Sequence, residues 1–110
     1  MMNFLMQLVL IKMNYKIIFH PELKYDLKEF SHTQNKLILK QFNKIQKSPE
    51  LGQALGNKNG YNLFGCQKMY VDKKQIRIVY RVIKDEIIIE FIAVGKRENM
   101  QVYEKALKRI

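Results

Sequence analysis

Three β-prone runs in the second half of the chain are joined by connections too short for anything but antiparallel pairing. Residues 67–71 (QKMYV) lead through Asp72-Lys73-Lys74 into residues 75–83 (QIRIVYRVI), and Lys84-Asp85 leads into residues 86–94 (EIIIEFIAV). Parallel neighbours need a crossover of about a dozen residues or more. The runs are therefore expected to be antiparallel neighbours. The last is the most apolar and belongs in the sheet interior, since a strand buried on both faces reads as a continuous hydrophobic run. Gly95 ends it.

The first half has a helical period instead. Residues 15–19 (YKIIF) read as a short strand. Pro21 suits the first turn of a helix, where its missing N–H is harmless. Leu23, Leu27 and Phe30 then form one apolar stripe. Ser31 and Gln34 make an S-x-x-Q capping-box pattern for a second helix. Ile38, Phe42 and Ile45 supply its stripe, and Ser48-Pro49 ends it, because the residue before proline is pushed out of the α region. The two helices form an expected antiparallel hairpin. Residues 51–65, with several glycines, read as a long loop inside the domain. A closing helix over about 99–109 carries Tyr103, Leu107 and Ile110 on one face. The order β-α-α-β-β-β-α predicts an α+β domain, with the helical hairpin and C-terminal helix packed on a small antiparallel sheet.

A chain of 110 residues suits one domain, and 47% hydrophobic residues suffice for its core and argue against wholesale disorder. The apolar run within residues 1–12 (MMNFLMQLVLIK) is shorter than the ~20 residues of a membrane span. It also lacks the basic flank and small-residue cleavage site of a signal peptide. We expect residues 1–12 to be an N-terminal extension and 13–110 the domain. A single cysteine, Cys66, excludes an intrachain disulfide and a CxxC metal site, which fits a reducing, cytoplasmic setting. No paired metal ligands, Ser/His/Asp set or Gly-rich phosphate loop is visible, so neither metal nor cofactor is expected.

The net charge of +10 points to a polyanionic partner, yet no basic tail carries it. Lys36, Lys40, Lys44 and Lys47 recur at helical spacing and read as a solvated face. The strand cations are more specific. Alternate strand residues share a face, so Arg77 and Arg81 point the same way, as do Lys68 and Tyr70 on the preceding strand. Lys96 and Arg97 follow the last strand. Guanidinium forks grip phosphate and tyrosine offers a stacking face for a base. The competing readings are edge charge that discourages strand pairing and cross-strand ion pairs of Lys68 or Arg77 with Glu90 or Asp72. His20 and His32 sit at turns, and Cys66 reads as a small packed residue.

Residues 65–110 carry GC-x-K at 65–68, IRIVYRV at 76–82, IAVGKRE at 92–98 and VYEKALKRI at 102–110. This set resembles the C-terminal half of RelE-like toxins of the RelE/ParE superfamily, and HPELKYDLKEF at 20–30 resembles their first helix. The resemblance implies the toxin of a type II toxin–antitoxin system. Such toxins are metal-independent endoribonucleases that cut messenger RNA in the ribosomal A site. The 2′-hydroxyl attacks the adjacent phosphate and leaves a 2′,3′-cyclic phosphate. Carried over residue by residue, the resemblance implies catalytic roles for Lys68, Arg77, Arg97 and Tyr103; the strand pattern itself makes Tyr70, Arg81 and Lys96 RNA-binding candidates. A second lysine belongs two places after Lys68 in the family pattern, and Tyr70 stands there instead. The implied partners are the ribosome with its message and an antitoxin whose acidic or amphipathic segment wraps the toxin. Rival implications are a ParE-like poison of DNA gyrase that cuts no RNA, and an RNA-binding relic with impaired catalysis.

Overall fold

The computed structural model describes residues 15–98 and 100–110; the expected extension at 1–12 lies outside them. Five strands and three α-helices follow in the order β1 (Lys16–Phe19), α1 (Leu23–Leu27), α2 (His32–Lys47), β2 (Gln53–Lys58), β3 (Tyr61–Val71), β4 (Ile76–Ile83), β5 (Ile88–Lys96) and α3 (Gln101–Arg109). The class is α+β, and the meander β3-β4-β5 is antiparallel as its short turns require. The sheet order β1-β5-β4-β3-β2 places β5 in the interior.

The sheet is mixed and larger than the expected one. β1 pairs with β5 in parallel, with Lys16 opposite Ile88 and Phe19 opposite Phe91. The helical hairpin between β1 and the meander is the long crossover that such pairing needs. The segment read as a loop is instead a hairpin. β2 and β3 pair through Lys58↔Tyr61 around Asn59 and Gly60, whose φ values are 51° and 89°. An Asn-Gly pair in this conformation makes a two-residue hairpin turn matching the twist of its strands, and Asn57 Oδ1 accepts the Gly60 N–H at 2.9 Å.

Ser31 caps α2 as its pattern predicts: its hydroxyl accepts the Gln34 N–H, and Gln34 Oε1 accepts the Ser31 N–H, both at 3.1 Å. Ile38, Phe42 and Ile45 are buried against Ile78, Tyr80, Ile89 and Phe91 on one face of the sheet. Pro21 stands in the turn before α1 rather than within it. The opposite face holds a second core, where α3 lays Val102, Tyr103 and Ala106 over Leu63, Cys66, Val79 and Ile92. The expected stripe on α3 is rotated: Ile110 is exposed and Val102 takes a core place.

Gly95 sets how close α3 can come. A Cβ at this position would lie 2.9 Å from Val102 Cβ, inside ordinary contact. Gly95→Ala is expected to lose about 1–3 kcal/mol of stability, the usual range for overpacking a core. Denaturant melts would check this, and an unchanged midpoint would mean that α3 has slack.

Candidate functional site

Strand alternation and register bring the site together. Lys68, Tyr70, Arg77 and Arg81 face the α3 side of the sheet, with Tyr70 opposite Arg77 and Cys66 opposite Arg81. Lys68 is 6% exposed and donates from Nζ to Tyr70 Oη at 2.7 Å. Its ammonium lies 4.4 Å from the centroid of that ring. Arg97 stands 5.5 Å, and Arg77 and Lys74 each 5.9 Å, from the same centroid. Four cations thus surround one tyrosine.

Several local features hold this arrangement. Asp72, Lys73 and Lys74 all have positive φ, so the β3–β4 turn keeps three consecutive non-glycine residues in the left-handed region. Each such residue costs on the order of 1 kcal/mol or more, a strain that clusters at functional sites. The turn is closed by the Gln75 N–H on the Asp72 carbonyl at 3.0 Å, and Gln34 Nε2 donates to the Asp72 carboxylate at 3.2 Å. The Arg97 N–H bonds the Gln75 carbonyl at 2.8 Å, which fixes the chain beyond β5 beside the turn. Lys96 and Arg97 border a groove of about 300 Å³ shared with Lys73, Lys74 and Gln75.

The competing reading, cross-strand ion pairs of Lys68 or Arg77 with Glu90 or Asp72, does not hold. Among the described residues no carboxylate pairs with Lys68, Lys74, Arg77 or Arg97; Glu90 pairs with Arg81 at 3.2 Å instead. Arg81 lies four residues along β4 from Arg77, roughly 13 Å at the usual strand rise. It therefore stands apart from the cluster, with its Nε buried and without a partner among the described residues. Tyr103, expected among the catalytic side chains, is fully buried. Its ring packs 4.9 Å from the Arg77 guanidinium, and its hydroxyl has no partner among the described residues. A ring so placed exposes no face, and its contact with the cluster is the Arg77 guanidinium.

The hydrogen bond from Lys68, more than any other contact, pulls the Tyr70 hydroxyl down to about 8, and Arg77 adds to the effect. Tyr80, on the other face of β4, is pushed up to about 12 by burial. It donates to the Pro49 carbonyl at 2.7 Å, a structural anchor. Burial also raises the Cys66 thiol, as suits a packed residue rather than a nucleophile. His20 Nδ1 accepts the Glu22 N–H at 3.1 Å, a turn contact. A depression of about 460 Å³ beside Pro49, Ala54 and Cys66 holds Lys84 and Glu50 but no comparable cluster.

Residues 17–100 match the family model described as the ParE toxin of type II toxin–antitoxin system, parDE. The chain belongs to the RelE/ParE family of toxins. Over 45 residues it is 42% identical to the mRNA interferase toxin RelE of Escherichia coli K12 and to the mRNA interferase RelE of Shigella flexneri, 41% of this chain and 47% of each relative. The match thus spans about half the length of these curated relatives. Among solved structures, a double-arginine variant of the E. coli toxin RelE in the free state is similar at a TM-score of 0.71 and 27% identity, covering 89% of this chain and 99% of that one. The same toxin in complex with an antitoxin RelBc peptide gives a TM-score of 0.59 at 26% identity, with the same coverage. This RelE-like toxin shares the α+β architecture of those structures. No helix among the described residues is long and apolar enough to cross a membrane.

One feature of the toxin was missed in the sequence reading. Asp26 is 2% exposed and bonds the Val94 N–H, Lys105 and Arg109. Its signal was an aspartate at i+3 from Leu23, on the apolar side of α1.

Proposed function

We propose that this toxin is a ribosome-dependent endoribonuclease that cuts messenger RNA by attack of a 2′-hydroxyl on the adjacent phosphate. The observation that carries this reading is the set of four cations around Tyr70 with no carboxylate among the described residues to neutralise them. Cleavage builds negative charge on a pentacoordinate phosphorane. Preorganised guanidinium and ammonium groups stabilise that charge without reorganising. Arg77 and Arg97 are assigned to the phosphate. Buried Lys68 adds fixed positive charge, and Tyr103 positions Arg77 from below. Lys96 lies beside Arg97 at the groove and is assigned to the RNA backbone; Arg81, engaged with Glu90, has no assigned part in the cleavage. The names of the curated relatives support the activity.

The ribosome and message place the work in the cytoplasm. The neutralising partner is an antitoxin with an acidic segment, matched to the net charge of +10. A second reading, a gyrase poison that cuts no RNA, is favoured by the description of the matching family model. Primer-extension mapping of messages after induction separates the two. Cuts that need ongoing translation are expected. Intact messages with trapped gyrase–DNA complexes would replace the ribonuclease reading with the second.

A further inference from the structure

We propose that Tyr70 is the general base of the cleavage, its phenolate taking the proton from the attacking 2′-hydroxyl. This rests on the ribonuclease reading and names the group that reading leaves open.

Lys68 is the starting point. Its residue is buried, and the side-chain partner its ammonium has is the Tyr70 hydroxyl at 2.7 Å. A buried ammonium demands a compensating anion. The phenol is the acidic group in contact with it, so loss of the phenol proton is the nearest way to satisfy that demand. The contact has the right polarity, because a lysine can only donate, so Oη is the acceptor. The other neighbours push the same way. Arg77 faces Tyr70 from β4, Arg97 from the chain after β5, and Lys74 from the turn. From α2, Lys40 borders the groove beside Tyr70 together with Lys73. The one acid lining that groove is Asp72, held by Gln34. Tyr103 approaches only through Arg77.

Tyr70 is half-buried, so unlike Tyr103 it remains open to a ligand. Its hydroxyl ionises near 8 in the free protein, within reach of physiological pH, where general bases are most effective. The step balances. The 2′ O–H bond breaks and its proton passes to Tyr70 Oη. The 2′-oxygen forms a bond to phosphorus. The P–O5′ bond breaks, with its electron pair leaving on the 5′-oxygen, which takes a proton from water. Tyr70 then returns its proton to water. Arg77 and Arg97 hold the charge that accumulates between these events.

Two measurements test the assignment. The first follows tyrosinate absorbance of the purified toxin against pH, in the wild type and in Tyr70→Phe. One tyrosine ionising near 8 is expected in the wild type, with that step absent from the variant. A variant with the same titration would show that Tyr70 is not the low-pKa group and would overturn the proposal. The second measures kcat/KM for cleavage of ribosome-bound message against pH. In the wild type it should rise about tenfold per pH unit below the same midpoint. In Tyr70→Phe it should fall about 10²–10⁴-fold and lose that rising limb. Tyr70→His should recover part of the rate with the limb moved to lower pH, because imidazole titrates lower than phenol. A merely structural tyrosine would move neither the limb nor the rescue. Wild-type cleavage matched in rate and pH profile by Tyr70→Phe would overturn the base assignment while leaving the ribonuclease reading standing. Wild-type toxin that leaves the message whole would overturn both.

Discussion

Arg97→Ala is expected to lower the rate of message cleavage by about 10²–10³-fold, the usual loss when one preorganised donor to a developing oxyanion is removed. The fold should survive. Arg97 is exposed and lies beyond β5; what ties its residue into the structure is its main-chain N–H on Gln75, which alanine keeps. The consequence should be loss of growth inhibition by a protein with wild-type melting behaviour. Arg97→Lys should recover only part of the activity, because an ammonium restores the charge but not the planar fork that grips two phosphate oxygens. Growth inhibition, cleavage of ribosome-bound message and a thermal melt together decide it. Full toxicity from folded Arg97→Ala would remove Arg97 from the site.

Asp26→Ala is expected to have the largest effect on stability, a loss of about 3–5 kcal/mol. Asp26 Oδ2 accepts the buried Val94 N–H at 3.0 Å and Arg109 Nη1 at 2.8 Å, while Oδ1 accepts Arg109 Nη2 at 3.0 Å and Lys105 at 3.2 Å. One carboxylate therefore joins α1 to β5 and to α3. Without it, an arginine side chain only 8% exposed keeps its charge but loses its buried counter-ion, and a strand N–H loses its acceptor. The contact between Arg109 Nη1 and the Ile92 carbonyl at 2.9 Å cannot replace a carboxylate. Adding Arg109→Met to Asp26→Ala should return part of the loss, since the stranded charge is the main penalty. Equal stability of wild type and Asp26→Ala in urea melts would show the clamp to be idle. Because α3 carries Tyr103, a loosened clamp should also lower activity by releasing the support beneath Arg77.

Much of the helical half was legible. The capping box at Ser31 and Gln34, the stripe Ile38–Phe42–Ile45 and the stop at Ser48-Pro49 are local signals, and each holds in the structure. The β2–β3 hairpin was not read, although Asn59-Gly60 is a strong turn signal. Its edge strand β2 buries a single residue, Leu55, so it shows no alternating pattern of its own. It is a strand because β3 is there to pair with it, and strand preference depends on such neighbours. The parallel pairing of β1 with β5 is likewise a long-range fact with no local mark.

The candidate site divides along the same line. Backbone alternation is a local property, so the sequence by itself placed Lys68 and Tyr70 on one face, and Arg77 and Arg81 on one face of the next strand. It also supplied the excess positive charge and the substitution of tyrosine for an expected lysine. Only the tertiary structure decided that Arg97 reaches the Tyr70 ring, that Arg81 pairs with Glu90, and that Tyr103 is buried against Arg77 rather than exposed. Those outcomes depend on the register between strands and on where α3 docks. The docking is set by Asp26 and Arg109, 83 residues apart, and by the close approach at Gly95. Such contacts form only when burial repays the entropy of closing a long loop, and no local periodicity encodes which distant partners will meet.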